Sequence, residues 1–128
     1  MRLLLDTHVF LWMRREPKRI PARVKMVLTD PSHDLFLSAV TAWEIATKVR
    51  LGKLDFDAVF LDDFDANIVS LGFIPLAVTA KQAVTGARTK ARHGDPFDRM
   101  LTGIAIAEKL KVVTSDPAFK SMGVDTVW

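Results

Sequence analysis

"RLLLDTHVFLWMRR" (residues 2–15) carries the reading of the fold. Its first half is a short apolar run that stops at Asp6-Thr7. Its second half, "HVFLWMRR", has helix-compatible spacing up to the break at Pro17. A strand followed by a helix, with an acid at the junction, is the expectation for this stretch.

The alternation continues along the chain. Pro21 is placed to open a second short helix through "ARVKMVLTD". "DLFLS" (34–38) is the next strand, and Ser38 or Thr41 can cap the helix "AWEIATKVRLG", which Gly52 stops. From Asp57 to Leu71 a single helix is expected, with Val59, Phe60, Phe64, Ile68 and Leu71 at helical spacing and Gly72 closing it. "FIPLA" (73–77) reads as a brief strand, placed by Pro75 at a sheet edge or a strand end. Thr79 can cap "AKQAVTGARTKAR", in which Gly86 is a weak point. After "HGDPF" the stripe Phe97, Met100, Leu101, Ile104, Ala107 and Leu110 predicts a helix, followed by strands in "KVVTSD" (111–116) and "VDTVW" (124–128). Strands alternating with helices imply a parallel sheet covered by helices on right-handed crossovers, an α/β sandwich.

At 128 residues, 49% hydrophobic and 26% charged, the chain fits a single domain over 1–128 with one real core. It has no cysteine, which removes disulfides, thiolate metal sites and cysteine nucleophiles and is compatible with a reducing cytoplasm. Asp6 interrupts the first apolar run too early for a signal-peptide core. The longest uncharged run, Ala66 to Ala80, contains Gly72 and Pro75 and is fifteen residues long, short of the roughly 18 that a membrane span requires. A soluble chain that is not exported is the expectation.

Four carboxylates recur at element junctions. Asp6 follows the first strand, Glu44 lies in the first turns of the helix after the second, Asp98 opens the helix before the fourth, and Asp116 ends the fourth. In an open parallel sheet the carboxyl ends of the strands and the amino ends of the following helices share one edge, so Asp6, Glu44 and Asp116 are expected to meet there. Asp98 joins them if the long helical connection from the third strand crosses that edge. Each acid alone has a structural explanation: Asp6 as a helix cap, Asp116 as the cap of a turn begun by Pro117, and Glu44 in a capping box with Thr41. Together, clustered carboxylates repel unless a cation intervenes. A hard divalent ion such as Mg²⁺ or Mn²⁺ accepts oxygen ligands and can activate water for attack on a phosphodiester.

"LLLDTHVFLW", "SAVTAWEIATKVRLGKL", "HGDPFDRML" and "VVTSDPAF" stand in the order of the four acidic motifs of the PIN-domain ribonucleases. The chain resembles that family over nearly its whole length, and most closely the VapC toxins of type II toxin-antitoxin pairs. The resemblance implies a PIN-like three-layer α/β/α sandwich with a mainly parallel central sheet of four to five strands. It implies that Asp6, Glu44, Asp98 and Asp116 form an acidic pocket for Mg²⁺, with Mn²⁺ able to substitute, and that Asp6 and Asp98 are the most direct ligands. It further implies an endoribonuclease that cuts RNA, often tRNA or rRNA, in the cytoplasm, is blocked by a cognate VapB-like antitoxin and is commonly a homodimer. None of the four acids departs from the pattern.

Several other residues have two readings. Thr7 and Thr114 can orient water or a carboxylate in the pocket, or merely start a helix and fit a strand. Setting aside the four acids leaves 18 Lys and Arg against 11 Asp and Glu, a surplus of +7 suited to phosphates. Lys48, Arg50, Lys53, Arg88, Lys90, Arg92, His93 and Arg99 lie near the motifs, as RNA guides or as solvated charges. His93 is a proton donor, a phosphate contact or a turn residue; His8 and His33 have no assignment. Trp12, Trp43, Phe10 and Phe60 are either a groove for a partner helix or core, and Asp57, Asp62, Asp63 and Asp65 are a solvated helix face or a contact for a basic antitoxin tail. Within "HGDPFDRM" (93–100), Asp95 is placed to cap the helix, Pro96 fits its first position and Asp98 its third.

Two other classes compete. A phospho-accepting receiver domain requires an acid pair after the first strand and an aspartate ending the central one, whereas this chain has Asp6-Thr7 and "FIPLA". An RNA- or partner-binding domain without catalysis is the third.

Overall fold

The first strand, β1 (Arg2–Leu5), buries Leu3, Leu4 and Leu5 completely. Burial on both faces is what a central strand of a parallel sheet requires, and three consecutive leucines supply it. The chain continues through α1 (Thr7–Arg15), a 3-10 turn at Pro17–Arg19, α2 (Ala22–Thr29), β2 (Asp34–Ser38), α3 (Ala39–Arg50), α4 (Ala58–Asp62) and α5 (Phe64–Ser70). It then forms β3 (Ile74–Leu76), α6 (Ala80–Ala87), α7 (Pro96–Glu108), β4 (Lys111–Val113), α8 (Ala118–Ser121) and β5 (Thr126–Val127). This computed structural model describes residues 1–92 and 94–128, so the reading of His93 lies outside the described residues.

The five strands form one all-parallel sheet in the order β3-β2-β1-β4-β5. Alternate side chains of β1 feed two cores, as the two-residue period of a strand demands. Leu3 and Leu5 pack with Val9, Phe10, Ile45, Phe60 and Phe64 on one face, and Leu4 with Leu101, Ile104 and Phe119 on the other. Helices on both faces make the three-layer α/β/α sandwich. Phe10 centres the first core, with ring centroids 5.9 Å from Phe73, 6.1 Å from Phe64 and 6.3 Å from Phe60. Phe10 and Phe60 are therefore core, while Trp43 remains exposed.

The strand order reverses at β1. The chain goes from β1 outward to β2 and β3, then returns to place β4 and β5 on the other side. The carboxyl ends of β1 and β4 thus flank the crevice where open α/β sheets bind ligands. Because α7 feeds directly into β4, its amino end, carrying Asp98, lies at that same edge.

The expected single helix from Asp57 to Leu71 is two helices. Asp63 leaves helical geometry (φ −136°, ψ 59°), and the Asn67 side-chain amide donates to the Phe60 carbonyl at 3.1 Å, compensating the group that the break exposes. Phe60, Phe64 and Ile68 fill the core at four-residue spacing, which leaves Val59 and Leu71 in solvent. The four aspartates 57, 62, 63 and 65 are exposed. Ser38 caps α3 by accepting from the Val40 amide at 3.0 Å, so Thr41 is not the cap and Glu44 is not part of a capping box. The helix after Thr79 stops at Ala87 rather than reaching Arg92. The Ala87, Thr89 and Ala91 carbonyls turn instead to the Arg99 guanidinium. Strand β4 ends at Val113, so Asp116 sits three residues beyond it. On α7 Ala107 is exposed and Ala105 buried, because the helix lies between the sheet and α6 and buries a broad face. Pro75 does sit on an edge strand.

Candidate active site

Asp6 leaves β1 and caps α1, its Oδ1 accepting from the His8 amide at 3.3 Å. Its Oδ2 accepts from the Thr114 hydroxyl at 2.8 Å, a contact between the ends of β1 and β4. The Thr114 oxygen in turn accepts from the Asp116 amide at 3.0 Å, so its single proton is directed at Asp6. Asp116 Oδ1 accepts from the Ala118 amide at 2.9 Å and starts α8. Asp6 and Asp116 are thereby joined through one threonine, and Asp6 is 3% exposed.

Glu44, in the second turn of α3 after β2, is only 1% exposed. One turn on, the Lys48 ammonium lies 2.5 Å from Glu44 Oε2. Glu44 Oε1 is buried and has no hydrogen-bond partner among the described residues. Thr7 and Thr41, both buried, share a hydroxyl hydrogen bond of 3.0 Å that ties the start of α1 to α3.

Asp98 is 7% exposed at the third position of α7. Asp95 caps that helix, its Oδ1 accepting from the amides of Phe97 at 2.8 Å and Asp98 at 3.2 Å, with Pro96 first in the helix. The Trp43 and Phe97 rings meet edge-on at 4.8 Å, bringing together the residues that immediately precede Glu44 and Asp98. Arg99 directs its guanidinium at carbonyls of the α6–α7 loop, a loop-ordering contact.

His8 was not singled out by the sequence, although its place two residues after Asp6 was a signal. Its Nδ1 lies 3.7 Å from Asp6 Oδ1, and that interaction raises the imidazole pKa above the ordinary value against the opposing effect of burial. The charges of Lys48 and Glu44 also reach His8, so the four groups share one electrostatic environment.

The donor set is all oxygen: carboxylates, with threonine hydroxyls beside them. That chemistry suits a hard divalent cation, and the partnerless Glu44 oxygen is a further fit. Among the described residues no three His, Asp or Glu side chains are gathered closely enough to hold an ion as they stand. Also among the described residues, no helix is long and apolar enough to cross a membrane.

A parallel sheet switching at β1, with buried acids along its carboxyl edge, defines the class. Residues 3–125 match the PIN domain, and the chain belongs to the PIN-domain family. It is 25% identical over 123 residues to ribonuclease VapC22 of Mycobacterium tuberculosis, an alignment spanning 93% of this chain and 90% of that protein. The fold is similar to DNA-bound VapBC from Salmonella typhimurium, with a TM-score of 0.71 at 17% identity over 99% of this chain and 97% of that one. VapBC2 from Rickettsia felis, bound to a fragment of its promoter DNA, superposes with a TM-score of 0.70 at 15% identity over 99% and 98% of the two chains.

Proposed function

We propose that this chain is a metal-dependent endoribonuclease and the toxin of a toxin-antitoxin pair. The observation that carries the reading is the burial of Asp6, Glu44 and Asp98 on elements that begin at the carboxyl edge of the sheet, with Asp116 linked to Asp6 through Thr114 beside the strand-order switch. Membership of the PIN family and the similarity to ribonuclease VapC22 support RNA as the substrate, tRNA or rRNA being the expected class.

Asp6, Glu44, Asp98 and Asp116 would hold Mg²⁺ or Mn²⁺. Bound there, a divalent cation would polarise the phosphodiester and ease deprotonation of the attacking water. Thr114 fixes the Asp6 carboxylate, and the Asp95 cap fixes the first turn of α7 and with it Asp98. Carboxylates pre-set in this way would need little reorganisation to receive a cation. Hydrolysis is direct and in line, without a covalent enzyme intermediate. The resemblance of the fold to VapB-bound toxins supports a VapB-like antitoxin as partner, and a cytoplasmic homodimer completes the reading.

The test is cleavage of RNA by the purified protein in Mg²⁺, Mn²⁺ or EDTA, with Asp98→Asn and Asp95→Asn alongside. Cleavage is expected with either metal and not in EDTA. Asp98→Asn should fold and lose turnover, whereas Asp95→Asn should keep both, since asparagine caps helices as well as aspartate does. Metal-independent cutting, or full activity of Asp98→Asn, overturns the reading.

A further inference from the structure

Glu44 is a carboxylate in the interior, and an ionised carboxylate there is costly without a compensating cation. The protein supplies one itself. Lys48 is the i+4 neighbour of Glu44 on α3, and its ammonium lies 2.5 Å from Oε2. A purely structural buried ion pair holds when both oxygens and the remaining protons find partners. This pair is half satisfied, because Glu44 Oε1 has no partner among the described residues. The Lys48 side chain is 30% exposed while that of Glu44 is 1% exposed, so the lysine is not enclosed with the carboxylate and a rotation of its flexible stem can carry the charged head to solvent. Lysine is a point charge on a flexible stem, with none of the planar commitment of a guanidinium. The charges of Lys48 and Glu44 both act on His8, whose imidazole lies 3.7 Å from Asp6.

We infer that Lys48 is a tethered counter-cation that competes with the divalent ion for Glu44, so that loading the pocket exchanges one cation for another. Lys48 is a positioning residue: it holds the Glu44 carboxylate in place and then yields it. This rests on the proposed metal dependence and goes further by making metal affinity a property set by a lysine that is not a ligand.

The test is calorimetric titration of Mn²⁺ into wild type, Lys48→Met and Arg50→Met, with thermal melts of each in EDTA and in saturating Mn²⁺. Lys48→Met should bind Mn²⁺ about tenfold more tightly or better, because removing a unit charge beside the site removes both competitor and repulsion. Arg50→Met, which removes an exposed charge from the same helix, should change affinity much less. Lys48→Met should melt below wild type in EDTA and lose that deficit in Mn²⁺. If Lys48→Met does not fold, Lys48→Arg serves instead: its fork can engage both Glu44 oxygens and should weaken Mn²⁺ binding. Affinity in Lys48→Met equal to or below wild type, an equal gain in Arg50→Met, a melting deficit indifferent to Mn²⁺, or undiminished affinity in Lys48→Arg overturns the inference and leaves the metal reading intact. Absence of Mn²⁺ binding to wild type overturns both.

Discussion

The Thr114 hydroxyl accepts the Asp116 amide and donates to Asp6, so a single side chain sets the orientation of one pocket acid and the backbone beside another. Thr114→Val keeps the shape and removes both bonds, leaving a buried carboxylate oxygen and an amide without partners. The expected cost is about 1–3 kcal/mol in urea unfolding, with a fall in RNA cleavage, while Thr114→Ser should retain most of both. The sequence left Thr114 as either a pocket residue or a strand filler, because its orientation depends on a contact across 108 positions of chain. Asp95 and Asp98, by contrast, separated on the sequence alone. Capping, proline at the first position and an acid at the third are local properties of one turn, and no distant contact is needed to express them. Lys48 had a visible i+4 relation to Glu44, but spacing does not distinguish a solvated lysine from one that reaches a buried carboxylate.

Elements of this fold meet most closely at the α6–α7 crossing. A Cβ on Gly103 would lie 2.1 Å from the Gln82 carbonyl oxygen, and one on Gly86 would lie 2.2 Å from that of Arg99. The two helices run antiparallel, with the buried Gln82 amide bonded to Glu108 at 2.9 Å near one end and Gly86 against Arg99 at the other. Gly86 read from the sequence as a weakness in a helix; in the structure it permits backbone contact. Gly103→Ala should therefore destabilise the protein by about 1–3 kcal/mol in chemical denaturation, despite alanine's better helix propensity, because backbone cannot yield as a side chain can. It should also lower cleavage in the folded fraction, since α7 carries Asp98 one turn and a half upstream. The break between α4 and α5 was equally hidden, because Phe60, Phe64 and Ile68 keep one helical register across it.

The whole molecule carries a surplus of +7 outside its four acids. If the four acids form the proposed site, that surplus of positive charge is what would draw a polyanion toward it. RNA affinity of the Asp98→Asn protein should fall steeply as salt rises from 50 to about 200 mM in a filter-binding series. A flat dependence would count against phosphate contacts as the source of binding. The sequence by itself determined the order of the five strands, the parallel class of the sheet, the cap of α7 and the place of Asp6 at the end of β1. These follow from hydrophobic period, turn residues and capping, which act within a few positions. The tertiary structure alone decided that β1 is the switch strand, that Thr114 serves Asp6, that Lys48 reaches a buried Glu44 and that Gly86 and Gly103 bring two backbones together. Each of these joins residues far apart in the chain or depends on what is buried, and local pattern carries no information about which distant groups the packing will bring into contact.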